Sequence, residues 1–181
     1  MKKTCIALLL CVALLLSLCA CGMTEETEPT GTAENVETTG TAGMRFTTTD
    51  IYGKAVNSVE LFAGHKYTMI NCWCSWCGPC VGEMPELEEM SKRFEEKGCA
   101  IVGLLFDGDE EEGLADGRDI IADLGVTYIV LTPWDGVKQQ LNIQAVPTSF
   151  FVDENGQIVS EFIVGADLEG YEAQLAKLLG E

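Results

Sequence analysis

Two cysteines separated by two residues, Cys77 and Cys80, stand between a run of β-forming residues and a run of helix-forming ones. A thiol at a helix N-terminus lies against unpaired backbone N–H groups and the positive end of the helix dipole. Both favour the thiolate, the form of cysteine that attacks a disulfide. Pro79 suits the first helical turn, where its missing N–H costs little. In that arrangement Cys77 is the exposed attacking sulfur, and Cys80, one turn in, is positioned to resolve a mixed disulfide. Two other uses of the spacing stay open: a structural disulfide, or half of a zinc site. A zinc site needs a second pair of ligands, and His65 is the single histidine of the chain.

The elements that must position this pair follow from the hydrophobic pattern. Phe46 to Asp50 and Lys54 to Asn57 flank Ile51-Tyr52-Gly53 as a short hairpin. Lys66 to Trp73 is rich in β-formers and predicts a strand; a helix is expected from about Pro79 to Glu96. Cys99 to Phe106 is a nearly continuous apolar run, as a buried parallel strand requires. A second helix over roughly Glu111 to Leu124 and a short strand at Tyr128 to Leu131 follow. Thr148 to Asp153 and Gln157 to Val164 flank Glu154-Asn155-Gly156, a hairpin signal, and a last helix spans about Leu168 to Leu179. The order predicts an α/β fold: a central mixed sheet, parallel in its first strands, with helices on both faces.

The start of the chain is expected to lie outside this domain. Lys2 and Lys3 precede an apolar run from Ile6 to Leu18, of secretory-signal length and short for a membrane-spanning helix. Leu18-Cys19-Ala20-Cys21-Gly22 resembles a bacterial lipoprotein signal, which implies removal of residues 1–20 and lipidation of Cys21. An ordinary cleaved signal and an uncleaved anchor are the alternatives. Residues 21–43 then comprise the acylated cysteine and a Thr/Glu/Gly-rich linker with almost nothing to bury, expected to be disordered. Residues 44–181 suit one domain with one core. Of nine cysteines, Cys5, Cys11 and Cys19 leave with the signal and Cys21 carries lipid. Cys72, Cys74, Cys77, Cys80 and Cys99 remain, an odd number that points to a free or reactive thiol. The formal charge of −18 becomes about −20 once Lys2 and Lys3 are lost with no acid. Such a surface repels phosphate backbones and anionic headgroups, so no nucleic acid is expected as partner and the tether must supply membrane attachment.

Asn71-Cys72-Trp73-Cys74-Ser75-Trp76-Cys77-Gly78-Pro79-Cys80 resembles the strand-to-active-site segment of the thioredoxin superfamily. Pro85 matches that family's proline in the first long helix, and Val146-Pro147-Thr148 its cis-proline loop. Glu83-Met84-Pro85 and Phe150-Phe151-Val152-Asp153-Glu154-Asn155-Gly156 are most similar to the TlpA/ResA-like branch of anchored extracytoplasmic disulfide reductases. This implies a thioredoxin-like fold with an N-terminal β-hairpin and an inserted helix–strand unit between Asp107 and Leu131. It also implies that the redox-active Cys77–Cys80 disulfide suffices without a further cofactor or a metal. By the same resemblance, Trp76, Gly78, Pro79, Val146 and Pro147 contact the substrate, with the backbone before Pro147 pairing with its chain.

A glutamate at position 83 in that branch tunes the protonation of the thiols. Helical spacing agrees, since Cys80, Glu83, Leu87 and Met90 share one apolar face. Glu83 is therefore expected to be partly buried, with a raised pKa, and able to take the proton of Cys80. The alternative is a solvated glutamate beside Glu86, Glu88 and Glu89. Asn71 occupies the place of the buried aspartate of thioredoxin itself.

Cys72 and Cys74 depart from the family, whose residues there are usually aromatic and alanine. Strand alternation puts both on one face. They are two buried thiols acting as small hydrophobes, or one is an auxiliary thiol, or with Cys77 and Cys80 they form a metal or iron–sulfur site. Cys99 is expected to be inert. Trp73 is expected in the core, Trp76 as a lid and contact surface, and Trp134 in either setting.

The activity implied is reduction of disulfides in exported proteins, such as apocytochrome c, by a lipid-anchored monomer on the extracytoplasmic face, recharged by a transmembrane thiol donor. The alternatives are a disulfide oxidase and a copper-chaperone-like module. The latter needs a histidine downstream of its cysteines, which this sequence lacks.

Overall fold

The computed structural model describes residues 43–181. The proposed signal, Cys21 and nearly all of the linker lie outside the described residues. Strands β1 (Thr47–Thr49) and β2 (Ala55–Asn57) form the leading antiparallel hairpin. Its turn is closed by Asp50, whose carboxylate accepts the backbone N–H groups of Tyr52 and Lys54 at 2.9 Å each, and Gly53 takes the left-handed backbone the turn needs (φ +89°). Helix α1 (Ser58–Ala63) follows, capped by Asn57 Oδ1, which accepts Val59 N–H at 2.8 Å.

Then come β3 (Tyr67–Trp73), α2 (Gly78–Glu96), β4 (Ala100–Leu105), α3 (Glu111–Asp123) and β5 (Val130–Leu131). The chain closes with α4 (Val137–Leu141), β6 (Thr148–Asp153), β7 (Ile163–Val164) and α5 (Leu168–Leu179). The five-stranded sheet has the order β5-β4-β3-β6-β7; β3, β4 and β5 are parallel, β6 runs antiparallel to β3, and β7 antiparallel to β6. This is the thioredoxin-like architecture expected, with the N-terminal hairpin and the inserted α3–β5 unit in place.

Strand β3 is central and buried on both faces, which sorts its side chains by parity. Met69 joins Leu87, Met90 and Phe94 of α2 and Tyr171 and Leu175 of α5 on one side. Ile70 and Cys72 join Phe62 of α1 and Val137 and Leu141 of α4 on the other. A third cluster at the C-terminal end of β3 gathers Trp73, Cys77, Cys80, Met84 and Leu105, with Ile51 from the hairpin turn reaching into it.

Three expectations need correction. β7 is two residues long instead of running from Gln157, because Phe151 N–H donates to the side-chain oxygen of Ser160 at 2.9 Å and the ladder breaks there. Helices α1 and α4, six and five residues long, are absent from the expected order; one and a half turns carry no readable periodicity. Cys72 and Cys74 do not share a strand face: β3 ends at Trp73, so Cys74 lies in the following turn and packs with Cys77 and Cys80, while Cys72 packs in the opposite cluster.

Gly113 in α3 touches the frame of the site directly. A Cβ there would overlap the backbone oxygen of Asp107. Alanine gains about 1 kcal/mol of helix propensity over glycine, but overlap with backbone in a packed interior costs about 1–3 kcal/mol. Gly113→Ala is therefore expected to lower the urea unfolding midpoint, and an equal or higher midpoint contradicts this packing.

Candidate active site

The site grows out of the junction where β3 stops and α2 starts. Cys77 is the N-cap of α2, with extended backbone (φ −87°, ψ 97°), and its Sγ accepts the N–H of Cys80 at 3.2 Å. That N–H is one of the donors a helix start leaves unpaired, so here a sulfur takes the place of the usual capping oxygen. Pro79 sits in the first turn and forfeits nothing. Cys77 and Cys80 are joined as a disulfide with a Cα–Cα distance of 5.3 Å.

In this oxidised state Cys77 is only 4 % exposed, which corrects the expectation of an open attacking sulfur. The cause is the loop before β6: the Val146–Pro147 bond is cis, and Val146 O lies 3.6 Å from Cys77 Sγ. Trp76 does not fold over the pair as a lid. It is 74 % exposed, next to Cys77 in the chain and accessible to another chain. Trp73 is fully buried as expected, and Trp134 stacks on Phe46 at 3.7 Å between ring centres.

Glu83 is 4 % exposed, which overturns the alternative of a solvated glutamate. Two partners hold it. Asn71 Nδ2 donates to Oε1 at 2.8 Å and also reaches Ser149 Oγ at 3.0 Å; the Tyr171 hydroxyl lies 3.1 Å from Oε2 and 3.0 Å from Gly165 O. Burial pushes the carboxyl up from the usual 4.5 to about 6, against the two hydrogen bonds, which favour the charged form. The residue that replaces thioredoxin's aspartate thus serves as a donor to the glutamate. Burial, with the nearby Glu83 carboxylate, pushes the Tyr171 phenol up to about 12. Glu88, also buried, acts as a structural tie. It accepts Thr127 N–H and Thr127 Oγ1–H at 2.7 Å each, joining α2 to the segment before β5.

Asp107 is a part of the site that sequence reasoning misses. Its carboxylate accepts Ser75 N–H at 3.1 and 3.0 Å and the Ser75 hydroxyl at 2.7 Å, fixing the loop between β3 and Cys77. In sequence it opens the acidic run Asp107-Gly108-Asp109-Glu110, which looks like a solvated surface. Tyr171 escapes notice too, because with Leu168 and Leu175 it follows the spacing of an ordinary core face.

Cys72, Cys74 and Cys99 are free and buried. Burial raises all three thiols, that of Cys74 to about 11 with help from the Asp107 carboxylate. Among the described residues, no cluster of three or more His, Cys, Asp or Glu side chains is arranged to hold a metal ion, and no helix is long and apolar enough to cross a membrane.

The arrangement suits thiol–disulfide exchange: a sulfur at a helix start, a second sulfur one turn in, a buried carboxyl on the next turn, and a cis-proline loop alongside. Comparisons with known proteins agree. The family model described as Redoxin matches residues 32–179. A thiol-disulfide oxidoreductase ResA of Bacillus thuringiensis is 28% identical over 140 residues, covering 77% of this chain and 78% of that one. ResA of Oceanobacillus iheyensis is 35% identical over 116 residues, covering 61% and 58%. Among solved structures, the thioredoxin domain of a thiol-disulfide oxidoreductase from Bacteroides vulgatus superposes with a TM-score of 0.59 at 27% identity, covering 77% of this chain and 99% of that one. The chain belongs to the Redoxin family, in its ResA-like branch of thiol–disulfide oxidoreductases.

Proposed function

We propose that this oxidoreductase works as a reductase of disulfides in exported proteins, held at the extracytoplasmic face of a membrane by lipid on Cys21. Cys77, as thiolate, attacks the client disulfide and expels one client thiol. Cys80 then attacks Cys77 Sγ, releasing the second client thiol and leaving the Cys77–Cys80 disulfide. A transmembrane thiol donor returns the two electrons. Apocytochrome c cysteines are the client class that the resemblance to the ResA-like branch favours.

The observation that carries this reading is the bond from Cys80 N–H to Cys77 Sγ at the first turn of α2. The same N–H and helix dipole stabilise a negative sulfur once the disulfide opens. Trp76, Gly78 and Pro79 border Cys77, and the Val146–Pro147 backbone lies alongside, so together they form the surface a client strand meets. Glu83 is placed one helical turn beyond Cys80 and, being ionised above about pH 6, accepts its proton as it attacks.

The reduction potential of the Cys77–Cys80 couple separates reductase from oxidase. A value near about −270 mV, as in thioredoxin, is expected; one near about −120 mV assigns the opposite direction.

The carboxyl makes its own prediction. Its pKa is higher in the fold than in the free chain, so the folded state binds the extra proton. That contribution favours folding below about pH 4.5 and is lost as pH rises through about 6. Glu83→Gln should therefore gain stability relative to the parent between pH 4.5 and pH 7 in urea unfolding, while slowing insulin reduction on the order of 100-fold. Tyr171→Phe removes one donor to the carboxylate and should shift the acid limb of the rate profile to higher pH. Parallel stability curves and unshifted profiles contradict the role of Glu83.

A further inference from the structure

We propose that Cys74 is a third redox sulfur of this site, able to displace Cys80 from Cys77 and convert the Cys77–Cys80 disulfide into a Cys74–Cys77 disulfide. The inference rests on the reading of Cys77 as the reactive sulfur. Cys74-Ser75-Trp76-Cys77-Gly78-Pro79-Cys80 contains two overlapping pairs of equal spacing that share Cys77. The structure makes the first pair a spatial one. After β3 ends, the chain turns, and Cys77 N–H donates to Cys74 O at 3.1 Å. A turn closed in this way keeps its end Cα atoms within about 7 Å, and disulfides bridge Cα separations of about 4.4–6.8 Å. Cys74 is a free thiol, buried in the same apolar cluster as Cys77 and Cys80. Cys72 and Cys99 belong to the two other clusters.

The exchange balances within the chain. The Cys74 thiolate attacks Cys77 Sγ; the Cys74–Cys77 bond forms as the Cys77–Cys80 bond breaks; the electron pair leaves on Cys80, which takes up a proton. No external oxidant or reductant enters. Applied to a client mixed disulfide on Cys77, the same attack releases the client thiol in place of Cys80. Ionisation limits the rate. Burial and the Asp107 and Glu110 carboxylates oppose the Cys74 thiolate, while Lys138 and a hydrogen bond from the Asp107 backbone favour it, and the balance raises its pKa to about 11. At neutral pH little of the Cys74 thiol is ionised, and exchange through Cys74 gains about tenfold per pH unit below that value.

The test uses the full chain carrying Cys80→Ser, treated with oxidised glutathione at pH 7 and pH 9, quenched in acid and mapped by peptide mass. The expected course is a glutathione adduct on Cys77 that gives way to a Cys74–Cys77 linkage, faster at pH 9, and persists in Cys74→Ser/Cys80→Ser. Equal persistence in both variants overturns the proposal and leaves the role of Cys77 intact. Absence of any adduct on Cys77 overturns both. The unsubstituted protein guards against misfolding of the variants: oxidised, held at pH 9 and acid-trapped, it should yield a minority of Cys74–Cys77 linkage with Cys80 free. A linkage confined to Cys77–Cys80 contradicts the proposal.

Discussion

A sulfur atom placed where backbone N–H groups go unpaired gains negative character without any charged neighbour, and this structure is arranged to hold one sulfur there. Cys77 caps α2 by accepting Cys80 N–H. The position of that cap is set by three adjacent strands. β3 supplies the chain, locked between β4 and β6 up to Cys72 and Trp73. Asp107, just past the end of β4, grips Ser75 by its N–H and its hydroxyl. The loop entering β6 brings Val146 O against the sulfur. Sheet register thus becomes site geometry, because sliding either neighbouring strand by one residue would misplace one of these contacts.

Beneath the cap lies a carboxyl that the fold partly desolvates. Glu83 is stabilised as an anion by Asn71 from β3 and Tyr171 from α5. Tyr171 has one phenolic proton and two acceptors within reach, Glu83 Oε2 and Gly165 O. Gly165 N–H in turn donates to Pro147 O at 2.8 Å. The proton state of the carboxyl and the hydrogen bonding of the cis-proline loop therefore meet at a single hydroxyl. A buried group with few, specific partners is where a pKa is most easily moved.

Much of this is legible in the sequence. The edges of α5 and the placement of Cys77 at a helix start follow from apolar periodicity and from Pro79, because long elements with strong patterns announce themselves. Glu83 is readable as a buried acid because it shares a helical face with Cys80, Leu87 and Met90. Other features have no local signal. The ladder break at Ser160, the grip of Asp107 on Ser75 across 32 residues and the bond of Tyr171 to Glu83 across 88 exist only after the chain is folded. Cys74 departs from expectation for a subtler reason: alternation assumes the strand continues, and it ends one residue earlier. The burial of Cys77 depends on the closed disulfide and the cis-proline loop, neither of which spacing reveals.

The central claim is that the start of α2 lowers the pKa of Cys77. Its most direct test is the pH dependence of Cys77 alkylation by iodoacetamide in the reduced protein, followed by peptide mass. A midpoint below about 7.5 is predicted, within the range of thiols activated at helix starts. A midpoint near about 8.5, that of an ordinary cysteine, would contradict the account.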